Sequence, residues 1–172
     1  MDAPLLHLAL FRPLIPQNTG TIGRLSLALG LRLHLIRPLG FRTDEKACRR
    51  AGLDYWREVD CVEHDHLAAA EAALPEGARV FAFSARAGRL YTQVEYRPGD
   101  CLLFGNEVDG LPQEVLDRAP ERAVRLPQRD ARVRSLNLAN AAAVGAYEAL
   151  RQLGFPDPAP PRPRRAESTH AR

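Results

Sequence analysis

The chain has little with which to do side-chain chemistry or to build a disulfide framework. Among 172 residues there are only 3 cysteines, 1 tryptophan and 1 methionine. Cys48, Cys61 and Cys101 are odd in number and widely spaced, with no CxxC pair, so they read as reduced, buried thiols of a cytosolic protein. No apolar run reaches the roughly 18 residues of a membrane span. The N-terminus lacks the basic, apolar and cleavable segments of a secretory signal. No GxSxG, HExxH or GxxxxGK[ST] occurs, which removes the core residues of the hydrolase, zincin and P-loop readings. GxGxxG is also missing after the first apolar run, because Gly20 and Gly23 fall inside a helical pattern. His64 and His66 flank Asp65, but nothing at ligand spacing accompanies them, so no metal is expected. Lysine is scarce too. Of the 24 lysines and arginines only Lys46 is a lysine. Arginine suits an RNA partner because its fork binds phosphate and stacks on bases, although a GC-rich genome leaves the same bias.

What is present describes one domain. The length suits a single core, the hydrophobic content of 45% is ordinary, and the net charge of +3 is mildly basic. Leu5–Phe11 reads as a buried strand, Gln17–Leu29 as a helix with Asn18 as candidate N-cap and Gly30 as C-cap, and Leu31–Ile36 as a second strand. Strand, helix, strand in this span is a βαβ unit. The expected fold is therefore α/β, with a mostly parallel sheet and helices on both faces. Further helices are expected over Asp44–Ala51, Asp65–Leu74, Gln113–Arg118 and Asn137–Leu153. Further strands are expected over Val59–Val62, Val80–Phe83, Cys101–Phe104 and Ala123–Leu126. From Pro156 the composition turns rich in proline and arginine, which divides the chain into a domain over 1–155 and a disordered tail over 156–172. Ala142, Gly145, Ala146 and Ala149 form a small-residue stripe on the last helix, suited either to a subunit interface or to close packing on the chain's own sheet.

Two motifs organise the carboxyl half. Phe104-Gly105-Asn106-Glu107-Val108-Asp109-Gly110-Leu111-Pro112 follows an apolar strand, and Leu126-Pro127 leads through a polar loop to Ser135-Leu136-Asn137-Leu138-Ala139-Asn140. Gly-bearing turns at the carboxyl ends of strands describe a ligand crevice, since backbone approaches closely there. Together with Asn18-Thr19-Gly20-Thr21-Ile22-Gly23-Arg24 and Arg49-Arg50-Ala51-Gly52-Leu53-Asp54-Tyr55, these motifs resemble the SPOUT methyltransferases, most closely the minimal TrmL type. Those enzymes methylate the ribose 2′-hydroxyl of the tRNA wobble nucleotide.

The resemblance implies a carboxyl-terminal trefoil knot, a homodimer, tRNA as partner and S-adenosylmethionine as cofactor. Carried over by motif, Phe83, Ser84, Gly105, Asn106, Gly110, Leu126 and Ser135 would hold the cofactor. A side chain at Gly105 would then block binding at little cost to the fold. Arg24 would grip the target phosphate and stabilise charge developing on the 2′-oxygen, since a guanidinium is a poor base. Asn18 would orient that arginine or the ribose, and Glu107 and Asn137 would complete the polar lining. TrmL-type sequences carry Gly-Pro-Glu where this chain has Gly105-Asn106-Glu107, and the loop before Ser135 is slightly long. Two other readings stay open: a SPOUT ribose methyltransferase of another tRNA or rRNA position, and a noncatalytic RNA-binding relative.

Overall fold

Five consecutive buried residues, His7–Phe11, form β1 at the middle of the sheet, where both faces of a strand are covered. The computed structural model describes residues 4–43, 55–130 and 132–156. In these residues β1 is followed by α1 (Pro16–Leu29), β2 (Arg32–Ile36), β3 (Cys61–His64) and α2 (Leu67–Ala72). Then come β4 (Val80–Phe83), β5 (Arg89–Leu90), β6 (Cys101–Phe104), α3 (Gln113–Asp117), β7 (Ala123–Arg125) and α4 (Leu138–Gln152). The strands form one 7-stranded sheet in the order β3-β2-β1-β6-β4-β7-β5, and every neighbouring pair is parallel. The helix expected over Asp44–Ala51 and the tail from Asp157 onward lie outside the described residues, as does Cys48.

Apolar runs that look continuous in sequence divide between the two faces with the strand period of two. Leu8, Leu10, Leu33, Leu35, Phe81, Phe83, Leu102 and Phe104 pack with Ile22 of α1 and with Ala142, Ala146 and Leu150 of α4. Ala9, Phe11, Ile36, Ala82, Cys101 and Leu103 point the other way, onto Leu67 and Ala70 of α2 and Val115 and Leu116 of α3. Helices therefore cover both faces, as the sequence indicates.

Several local expectations change. The N-cap of α1 is Ile15, which provides no side-chain cap, with Pro16 opening the helix; Asn18 lies inside the first turn and bonds elsewhere. Gly30 does close the helix, at φ 65°, with the Leu31 N–H on the Ser26 carbonyl at 2.9 Å. β3 falls two residues beyond the expected start, because Val59 ends a 3-10 turn and packs into the core. The ring Nδ1 of His66 caps α2 by accepting the Ala69 N–H at 3.1 Å, so that helix begins after Asp65. β5 is too short and polar to show as periodicity. The small-residue stripe is not an exposed interface. Ala142, Ala146 and Ala149 have no exposed surface, and a Cβ on Gly145 would lie 3.0 Å from the Phe83 ring. Bareness there lets α4 settle on its own sheet. Cys101 is buried, and Cys61 only partly so.

On the α2 face three strands each contribute a histidine to a buried row. His7 Nδ1 lies 2.9 Å from His34 Nε2, and His34 Nδ1 lies 2.8 Å from His64 Nε2. Among the described residues His7 Nε2 is buried without a partner. A proton there would be an orphaned donor, so the lone pair sits there instead. His7 then donates to His34, and His34 donates to His64. Burial, followed by the neighbouring His7, His64 and Arg32, pushes His34 down to about 3; burial also lowers His7 and His64. A depressed folded-state value means that the unfolded chain binds more protons. The resulting stability is complete above the ordinary histidine value near 6.5 and is lost as pH falls towards about 3. Melting temperature should therefore fall between pH 6.5 and 5, above the range where most carboxylates titrate, with net proton uptake on unfolding. Calorimetry across that window checks it, and a flat profile would remove the histidines from the acid sensitivity.

Candidate active site

The carboxyl ends of β4, β6 and β7, neighbours in the sheet, each feed a loop into one crevice of about 660 Å³. That volume suits a nucleoside-sized ligand, and the strand ends are where open parallel sheets bind them. The first loop brings Phe83, Ser84 and Arg86, the second Gly105 to Gly110, and the third Leu126, Gln128 and Arg134 to Asn137. Ile15 and Asn18 close one side from α1. Ten of the eleven residues chosen from sequence meet here: Asn18, Phe83, Ser84, Gly105, Asn106, Glu107, Gly110, Leu126, Ser135 and Asn137. Arg24 does not. It lies on the exposed side of α1, with its guanidinium 4.6 Å above the Tyr55 ring.

The floor is apolar, since Phe83 and Phe104 stack with ring centres 4.6 Å apart. The loop above it is held by its own backbone. Asn106 Oδ1 accepts the N–H groups of Val108 and Asp109 at 2.9 and 2.7 Å, and Asn106 bridges to Gly110. Gly110 stands at φ 70°, in the left-handed region. A Cβ on Gly105 would strike the backbone of Gly110 and Leu111. A side chain at Gly105 thus forces this doubled-back loop apart, so the substitution is not cheap for the fold.

Glu107 is committed to the turn before α1. Its carboxylate accepts the Leu14 N–H at 2.8 Å, the Ile15 N–H at 3.2 Å and the Asn18 amide at 3.0 Å. Asn18 in turn accepts the Asn137 amide at 2.9 Å, and Asn137 caps α4 by accepting the Ala139 and Asn140 N–H groups. Asn18 is therefore engaged with Glu107 and Asn137 rather than with Arg24. Asn137, not Ser135, is the helix cap. That leaves Ser135 to line the crevice.

Two arginines escaped the sequence reading. Arg86 donates to the Leu111 carbonyl, and Arg134 reaches the Glu107 carbonyl at 3.5 Å. The density of arginine in the 129–134 loop was a signal for Arg134. Arg86 gave none. Among the described residues no group of three or more histidines, cysteines or acids is placed to hold a metal ion. No serine or cysteine in the crevice has a histidine beside it, because no histidine lines it. Such an arrangement binds and aligns a ligand rather than attacking it.

A parallel sheet with a backbone-lined, nucleoside-sized crevice at its strand ends defines an α/β protein of the cofactor-binding kind. The chain belongs to the SpoU rRNA Methylase family, whose model matches residues 5–147. It is similar to the tRNA (cytidine(34)-2'-O)-methyltransferase of Escherichia coli (strain K12), with 46% identity over 156 residues, 88% of this chain and 96% of the relative. A solved structure described as giving insights into the 2-OH methylation of C/U34 on tRNA is 54% identical, with TM-score 0.80 over 88% of this chain and 99% of that one. An AdoMet-bound rRNA methyltransferase from Sinorhizobium meliloti is 30% identical, with TM-score 0.71 over 88% of this chain and 58% of its own.

The Glu107 bonds set a stability test. Glu107→Ala leaves the Leu14 and Ile15 N–H groups to solvent and removes the acceptor of the Asn18 amide, and should cost about 1–2 kcal/mol in urea unfolding. Glu107→Gln, which keeps one acceptor oxygen, should fall between it and the wild type. A loss below about 0.5 kcal/mol for the alanine variant would mean that these contacts do not hold the turn.

Proposed function

We propose that this chain is an S-adenosylmethionine-dependent methyltransferase acting on the ribose 2′-hydroxyl of the tRNA wobble nucleotide, a cytidine or uridine. The observation that carries this reading is the crevice at the ends of β4, β6 and β7, in which the motif residues converge. Its support is the 46% identity, over most of both chains, to a relative named for that reaction. The residues fit the cofactor. Backbone at Gly105 and Leu126 would hold the adenosine, the Phe83–Phe104 floor would take its apolar surface, and Ser135 would meet the methionine portion. When bound, that group supplies a methyl already activated on a sulfonium. The chain itself has to align the ribose, exclude water and stabilise the oxygen as its proton leaves. Asn18 and Asn137 fix the polar wall, Glu107 holds Asn18 and Asn18 holds Asn137, and Arg24 is the cation for the phosphate and the 2′-oxygen.

Arg24 lies outside the crevice of its own chain, which favours a homodimer in which each subunit lends Arg24 to the other. The small-residue stripe being buried, the contact surface is the outer side of α4, where Val144 is 40% and Tyr147 50% exposed. Residues 1–155 then form one SPOUT unit with the family's carboxyl-terminal trefoil knot, followed by the tail over 156–172. Support for the knot is the match to the family alone. We place the protein in the cytoplasm with its tRNA substrate. No helix among the described residues is long and apolar enough to cross a membrane.

Purified protein should transfer labelled methyl from S-adenosylmethionine to tRNA carrying cytidine at position 34, and not to the same tRNA with 2′-deoxycytidine there. Equal labelling of both would overturn the assignment. An Arg24→Ala chain mixed with a Leu126→Trp chain, whose crevice is filled, should recover about a quarter of wild-type activity if the site is shared, because random pairing leaves one intact site in four. No recovery in confirmed mixed dimers would return Arg24 to its own subunit's site.

A further inference from the structure

Arg24 owes its direction to an aromatic pair that the crevice does not use. Its guanidinium carbon sits 4.6 Å from the centre of the Tyr55 ring. The Tyr55 hydroxyl donates to the Gly20 carbonyl at 2.9 Å, one helical turn before Arg24. Next to it, Trp56 lies against Gly23, where an added Cβ would come 2.5 Å from the indole. Gly20, Gly23 and Arg24 share one side of α1, because residues three and four apart are neighbours on a helix. Gly23, costly within a helix, thus provides the bare surface on which Trp56 rests.

The manner of holding matters as much as the contact. Arg32, Arg37, Arg79 and Arg132 are each paired with a carboxylate, which takes up donors and neutralises charge. Among the described residues nothing hydrogen-bonds or ion-pairs with the Arg24 guanidinium, and its neighbour is a ring face. Stacking on a ring fixes the plane of a guanidinium while leaving its edge donors free for an anion. An arginine merely parked on the surface would satisfy itself with a nearby acid as readily as with a ring.

We infer that Tyr55 is a positioning residue for Arg24: it holds the guanidinium flat and anchors itself to α1 through Gly20, so that the free edge meets a phosphate or ribose oxygen of the RNA. This rests on the role given to Arg24 under the proposed function. The hydroxyl serves only to seat the ring, and the ring does the orienting. Trp56 wedges the pair against the helix.

The test compares Tyr55→Leu, Tyr55→Phe and Arg24→Ala in the full chain, with kcat, KM for tRNA and calorimetric binding of S-adenosylmethionine. Tyr55→Leu should lower kcat by about 3-fold to 30-fold, the range of a lost cation–π contact, with cofactor affinity unchanged. Tyr55→Phe should return kcat to within about 3-fold of wild type, since the ring remains. By NMR, the Arg24 side-chain protons should show the ring-current shift in the wild type and in Tyr55→Phe, and lose it in Tyr55→Leu. Full kcat in Tyr55→Leu beside an inactive Arg24→Ala would overturn the positioning role while leaving Arg24 in place. A loss in Tyr55→Leu that Tyr55→Phe does not restore would overturn it as well, by making the hydroxyl or the fold the cause. Wild-type activity in Arg24→Ala would remove the role of Arg24 itself, and this inference with it.

Discussion

The carboxylate of Glu107 is the contact on which the site's geometry depends. α1 begins without a side-chain cap of its own, and the Leu14 and Ile15 N–H groups before it would otherwise have only solvent. Glu107 reaches them from a loop 93 and 92 residues away in sequence. The same carboxylate holds Asn18, Asn18 holds Asn137, and Asn137 caps α4. One chain of hydrogen bonds thus ties the start of α1, the loop after β6 and the start of α4. A shift of any one of them moves a wall of the crevice. The negative charge also lies at the positive end of α1, where it is favourable.

This division of labour explains which parts were legible in sequence. Val80–Phe83 and Cys101–Phe104 could be read residue for residue, because an apolar run bounded by polar and turn residues has few alternatives to a buried strand. Gly30 announced the end of α1 for a local reason, its left-handed backbone. Motif residues led to the crevice because their loops follow directly on those strands. What failed was nonlocal. Asn18 has the sequence signature of a cap, yet its partners lie 89 and 119 residues away, and no window of sequence contains them. The stripe on α4 shows the opposite limit. Periodicity reveals a bare face but not what covers it, and here Phe83 and Phe104 fill the space that the sequence left open to either a neighbouring subunit or the chain's own sheet.

Among the described residues, histidines are kept away from the crevice. The histidine row belongs to the α2 face, with His34 held neutral to about 3 by burial, and none of its members lines the crevice. The cations nearby are arginines, whose charge does not vary over the physiological range. Arg86 and Arg134 are fixed to backbone carbonyls, whereas Arg24 rests on a ring, its donors without a partner among the described residues. A reaction run by such a set depends on where the groups stand rather than on their proton affinity. Its sensitive points are therefore the loops and rings that set those positions, and these come from distant parts of the chain. The loop after β6 aligns the crevice through Glu107, and Tyr55 aligns the arginine that stands outside it.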